Sequence, residues 1–129
     1  MRYKFLCCAL FLLALAPAFA NAAARNVTPQ EAFDMVGKRG SLYLLDVRTF
    51  GEYQQARLEG ARLIPIDQNV KRLSEVPADR PLLVYCAVGS RSAQGVNYLA
   101  RQGLPEIYNL SGGIYAWAQK GYPILQGAP

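Results

Sequence analysis

Residues Cys86-Ala-Val-Gly-Ser-Arg91-Ser92 bring a thiol, a glycine, two hydroxyls and a permanent cation into one short stretch. An apolar run, Pro81-Leu-Leu-Val-Tyr85, precedes them, and a helix-like run from Ser92 to Gln102 follows. A cysteine ending a buried strand would then open a tight loop that feeds a helix N-terminus. Backbone N–H groups and the positive end of the helix dipole would converge on its sulfur. Both favour the thiolate, which is the nucleophilic form. A lone cysteine after an apolar run is otherwise a small buried hydrophobe. The loop composition argues against that reading. Gly89 frees the backbone to turn amides inward, Ser90 and Ser92 offer hydroxyl donors or a cap, and Arg91 offers a forked donor for an oxyanion. The residue types fit sulfur or phosphoryl chemistry better than packing.

The chain has 129 residues and no histidine. This excludes Ser–His–Asp and Cys–His machinery and histidine-ligated metal sites. Residues 1–20 have the pattern of a secretory signal peptide: Arg2 and Lys4, an apolar core from Phe5 to Ala16, and a small-x-small site ending at Ala20. That apolar run is shorter than the roughly 18–20 residues of a membrane span. Cleavage near Ala20 implies a periplasmic protein with no stable membrane association. It would remove Cys7 and Cys8, leaving Cys86 as the sole thiol, with no intramolecular disulfide and no thiolate metal centre. Lys+Arg would fall from 14 to 12 against 9 Asp+Glu, and the net charge from +5 to +3. No basic run or stripe marks a nucleic-acid surface. The modest positive balance suits a small anionic substrate. Residues 21–129, with a core over about 26–125, are sufficient for one domain.

The elements needed to position Cys86 can be read along the chain. Thr28-Pro29-Gln-Glu31 predicts a helix start with a capping box, Ala32, Phe33, Met35 and Val36 giving its apolar face and Gly37 to Gly40 its end. Leu42 to Val47, Ala61 to Ile64, Leu82 to Tyr85 and Ile107 to Leu110 read as four strands. Phe50 to Gln55, Gln68 to Leu73, Ser92 to Gln102 and a segment opened by Gly112-Gly113 and ended by Gly121 read as helices. Strands alternating with helices predict an α/β fold whose parallel sheet is covered on both faces. Ligands of such sheets bind beyond the carboxyl ends of the strands, where Cys86 falls.

Four motifs in order resemble the rhodanese family of sulfurtransferases, over almost the whole of residues 21–129. They are Leu45-Asp46-Val47-Arg48 with Glu52-Tyr53; Glu59-Gly60-Ala61-Arg62-Leu63-Ile64-Pro65; the Cys86-x-x-Gly89-x-Arg91-Ser92 loop; and Gly112-Gly113-x-x-x-Trp117-x-x-x-Gly121-x-Pro123. With the N-terminal signal, the chain is most similar to the small, single-domain periplasmic members. The resemblance implies a three-layer sandwich and no cofactor. It also implies that Cys86 takes a sulfane sulfur from thiosulfate as a persulfide and passes it to cyanide, a thiol or a protein acceptor. The amides of Ala87, Val88, Gly89, Ser90 and Ser92 would hold the persulfide, and Arg91 the donor's oxyanion. Many relatives carry a histidine where Arg57 stands. That histidine is not the nucleophile, so the departure bears on local packing or an edge hydrogen bond.

Asp46, Arg48 and Glu52 are expected to support the site, Asp46 by accepting loop N–H groups and Arg48 and Glu52 as an ion pair. Trp117 is expected to pack in the core. Two other functions compete with sulfur transfer. Rhodanese-fold phosphatases and arsenate reductases place one more residue between cysteine and arginine than Ala87 to Ser90 provide, and the shorter loop favours a sulfur atom over a phosphoryl group. A non-catalytic persulfide carrier would share the loop unchanged.

Overall fold

In the computed structural model, which describes residues 24–38 and 40–129, five strands build one parallel sheet. In chain order the elements are β1 (Arg25–Val27), α1 (Pro29–Lys38), β2 (Tyr43–Asp46), α2 (Phe50–Gln55), β3 (Arg62–Leu63), β4 (Leu82–Tyr85), α3 (Ser90–Arg101), β5 (Ile107–Leu110) and α4 (Gly113–Gln119). Two single 3₁₀ turns, Ile66–Gln68 and Leu73–Glu75, join β3 to β4. The sheet order is β1-β5-β4-β2-β3, with every pairing parallel. The segment read as an export signal lies outside the described residues. Among the described residues, no helix is long and apolar enough to cross a membrane.

Strand β4 is the central strand, and all four of its residues are buried. Its side chains alternate between the two faces. Leu82 and Val84 join Leu45, Val47, Ile64, Val96 and Leu99 under α3, whereas Leu83 and Tyr85 join Ala32, Leu44, Ile114 and Trp117 under α1 and α4. Continuing this alternation, Cys86 belongs to the α3 face. A residue buried on both sides of a sheet has no polar alternation to show. That is why β4 reads as an unbroken apolar run.

The α/β architecture and the helices on both faces are as the element pattern implies. Thr28 caps α1 as expected: the Glu31 amide donates to its Oγ1 at 3.1 Å, and its own amide donates to the Glu31 carboxylate at 3.4 Å. Three details differ. Strand β1 is a fifth, edge strand whose Arg-Asn-Val sequence carries no apolar signal, because only Val27 is buried. The segment expected as a helix over Gln68–Leu73 is instead two separate 3₁₀ turns, since Asn69 turns inward while Val70 faces solvent. Helix α3 begins at Ser90 rather than Ser92, because Gly89 with φ 101° turns the chain directly into the helix. Trp117 packs in the core as expected, 5.2 Å from the Tyr122 ring and 5.8 Å from Phe33.

Candidate active site

Strand β4 delivers Cys86 to the carboxyl end of the sheet, and the loop folds back over the sulfur. The Gly89 amide donates to Sγ at 3.1 Å, and the Ser92 amide and hydroxyl each lie 3.3 Å from it. Cys86 is fully buried. Burial alone pushes the thiol up, but the Ser92 hydroxyl and the amides of Ser92, Gly89 and Val88 outweigh it, and the pKa is lowered. The lowering comes from hydrogen bonding, with no imidazole involved.

The loop holds its shape because α4 grips it from the far side. The Ile114 amide donates to the Cys86 carbonyl at 2.9 Å, and the Tyr115 amide to the Ala87 carbonyl at 3.1 Å. Such an approach leaves no room for a side chain at Gly113. A Cβ there would collide with the Ala87 carbonyl and lie 2.5 Å from the Cys86 carbonyl oxygen. Gly89 is similarly committed: its φ is 101°, and a Cβ would sit 3.2 Å from the Gly112 nitrogen. The Gly112-Gly113 pair therefore does more than open a helix.

Of the remaining loop residues, Ala87 is half-buried, while Val88 and Ser90 are exposed. Ser92 is fully buried against the sulfur. Arg91 does not extend as a free oxyanion clamp. Its guanidinium forms a bidentate pair with Glu52 of α2, Nη1 to Oε1 at 2.7 Å and Nη2 to Oε2 at 2.8 Å. Glu52 is also the third residue of a capping box with Thr49, so one carboxylate caps α2 and anchors the loop. That pairing corrects the expected Arg48–Glu52 ion pair. Arg48 is buried and instead chelates Asp46, with Nη2 to Oδ2 at 2.7 Å, and also donates to the Ala56 carbonyl. Asp46 accepts a loop amide as expected, that of Arg48 at 2.9 Å and two residues along. Two carboxylates near one cysteine are thus each neutralised by an arginine. The Thr49-x-x-Glu52 spacing, the same signal as Thr28-x-x-Glu31, could have revealed the α2 cap.

Arg57 lies away from the loop and anchors the C-terminal segment. Its backbone pairs with Leu125 in both directions, and its Nη1 donates to the Gly127 carbonyl at 2.7 Å. On the α3 face, the Gly89 carbonyl accepts from the Ala93 amide and the Ser92 hydroxyl, both at 3.1 Å, and meets Asn109 Nδ2 at 3.5 Å. Sequence reading missed Asn109, because an isolated asparagine within a strand gives no periodic signal. Among the described residues, no cluster of three or more His, Cys, Asp or Glu side chains could hold a metal ion.

The fold is that of the rhodanese-like domains. The chain belongs to that family, whose match spans residues 28–120. It is 43% identical over 82 residues to a sulfurtransferase of Allochromatium vinosum, covering 64% of this chain and 77% of that one. It is 31% identical over 102 residues to the thiosulfate sulfurtransferase GlpE of Glaesserella parasuis, covering 79% and 94%. Among solved structures, a rhodanese-like domain protein of Staphylococcus aureus superposes with a TM-score of 0.72 at 28% identity, over 81% of this chain and 99% of that one.

Proposed function

We propose that the protein is a sulfurtransferase that accepts a sulfane sulfur from thiosulfate, or a similar donor, on Cys86 and hands it to a thiophilic acceptor. The observation carrying this reading is the convergence of two amides and a hydroxyl on one sulfur, with a lowered thiol pKa. The Cys86 thiolate attacks the outer sulfur of thiosulfate. The new Sγ–S bond forms as the old S–S bond breaks, and sulfite departs with the bonding pair. Cyanide or a thiolate acceptor then attacks the outer sulfur and returns Sγ as a thiolate. No proton moves in either transfer, so a chain without histidine needs no general base.

The first turn of α3 leaves the Ser90 and Arg91 amides without intrahelical acceptors. With Arg91 committed to Glu52, these amides are the better candidates for the persulfide's outer sulfur or the donor's oxygens. Intact mass measurement after thiosulfate treatment should show one added sulfur, removed by cyanide. A Cys86→Ala variant that retained sulfurtransferase activity would refute the reading.

The full burial of Cys86 favours a second reading, a persulfide carrier that exchanges sulfur only when a partner opens the loop. A carrier would load one sulfur per chain yet turn over slowly with cyanide, whereas an enzyme would do both. Export to the periplasm is part of the same proposal. It predicts a mature N-terminus near Asn21 in the periplasmic fraction.

A further inference from the structure

The Ser92 hydroxyl has one proton and two acceptors within reach, Sγ at 3.3 Å and the Gly89 carbonyl at 3.1 Å. A hydroxyl donates to one acceptor at a time. When Cys86 is neutral, the carbonyl is the better acceptor. When the sulfur is anionic, charge assistance draws the proton to it. The Gly89 carbonyl then loses a donor, and the Gly89–Ser90 peptide to which it belongs is freer to rotate. Something must hold that peptide while Ser92 serves the sulfur.

Two groups remain at that carbonyl, the Ala93 amide and Asn109 Nδ2. Asn109 is 5% exposed, and its Nδ2 also donates to Asn26 Oδ1 at 3.0 Å. Asn26 and Asn109 are direct cross-strand partners in the β1–β5 pairing. Edge strand β1 thereby braces a side chain that reaches the loop. The Asn109 amide has a second N–H bond to give, and the Gly89 carbonyl is the loop acceptor in front of it. Among the described residues, Asn109 Oδ1 has no partner. A buried amide with an unsatisfied oxygen is costly in a merely structural position.

We infer that Asn109, braced by Asn26, is a positioning residue that holds the Gly89 carbonyl when the Ser92 proton turns to an anionic Cys86, so that this carbonyl does not draw the proton back from the sulfur. This role rests on the proposed use of Cys86 as a thiolate, and it extends that use to a residue on a different strand. Loss of the Asn109 amide should weaken the anionic form of the sulfur more than it weakens the fold.

The test is the pH midpoint of the Cys86 ultraviolet thiolate band in the full chain, taken as the difference from Cys86→Ala in each background. Asn109→Leu should raise the midpoint by about half to one pH unit, the range that one hydrogen bond can supply. Asn109→Asp, which sets a carboxylate where the donor stood, should raise it further. Asn26→Ala, at an exposed residue, should fold even if the Asn109 variants do not, and should shift the midpoint in the same direction by less. A folded Asn109→Leu, or a folded Asn26→Ala if the former does not fold, with an unchanged midpoint would overturn the inference. Persulfide formation by the unmodified chain is measured alongside. If it is absent while the midpoints shift, the sulfurtransferase reading fails and the positioning role stands.

Discussion

Glu52 and Arg91, 39 residues apart, meet in a two-pronged ion pair that ties α2 to the first turn of α3 beside the reactive loop. Arg91, whose charge also interacts with Cys86, thereby has a carboxylate beside it. Removing either partner unbalances the charge near Cys86 in opposite directions.

Arg91→Ala leaves Glu52 uncompensated and should raise the Cys86 pKa. Where the thiol is mostly protonated, a rise of one pH unit in its midpoint slows persulfide formation by about tenfold. Glu52→Gln frees the guanidinium and should hold or lower that pKa. The double variant should recover part of the loss in Arg91→Ala. Single-turnover persulfide formation against pH measures all three. Equal loss in the two single variants would show that the bridge matters only as a tether.

The same pair makes an acid-stability prediction. The Arg91 guanidinium and the Thr49 cap hold Glu52 down to about 2, against an ordinary value of 4.5. A depressed carboxylate contributes stability above its unfolded pKa and loses it as pH falls through its folded value. The contribution is therefore intact at neutral pH and should vanish between about pH 4.5 and 2. Thermal unfolding of the wild type and Glu52→Gln should differ above this window and converge within it. Both side chains are about one-third exposed, so salt should shrink the difference.

Gly113→Ala should be severe, at about 3 kcal/mol or more, because its methyl group meets two loop carbonyls and its φ of 61° disfavours any side chain. Gly37→Ala, where nothing lies within 4 Å, is the control and should change stability by less than about 1 kcal/mol. Chemical denaturation of both variants gives the comparison. Similar midpoints would mean that the loop gives way at little cost.

Asn69 offers the opposite outcome. It is 5% exposed, and among the described residues neither of its side-chain polar atoms has a partner. Its Nδ2 lies 3.2 Å from where a Cβ of Gly95 would be. Asn69→Leu removes two unsatisfied groups at similar volume and should stabilise the chain by about 1 kcal/mol, raising Tm by roughly 4 °C. A lower Tm would show that the amide is satisfied in solution by a group that leucine displaces.

The parts legible in sequence are those with a local pattern. Leu82 to Tyr85 is readable at its observed bounds because double burial leaves an unbroken apolar run, and Ile107 to Leu110 is readable at its bounds although Asn109 interrupts its apolar residues. Cys86 stands out because glycine, hydroxyls and arginine surround it. The partners of its support are less visible. Asp46, Arg48 and Glu52 can be identified as a group, but two arginines can pair with two carboxylates in more than one way, and only the fold brings Glu52 to Arg91. Strand β1 and Asn109 escape a sequence reading because each draws its meaning from the other through the Asn26–Asn109 pairing.

Cys86 is the one free cysteine among the described residues, and its sulfur is sealed from solvent. Within these residues no neighbouring thiol can resolve a persulfide into a disulfide and reset the site. Under the proposed sulfur transfer, a loaded chain would keep its cargo until an outside nucleophile arrives, and its loaded fraction would report the recent balance between sulfur donors and acceptors. The burial of Cys86 would make that fraction a record of past exposure to both.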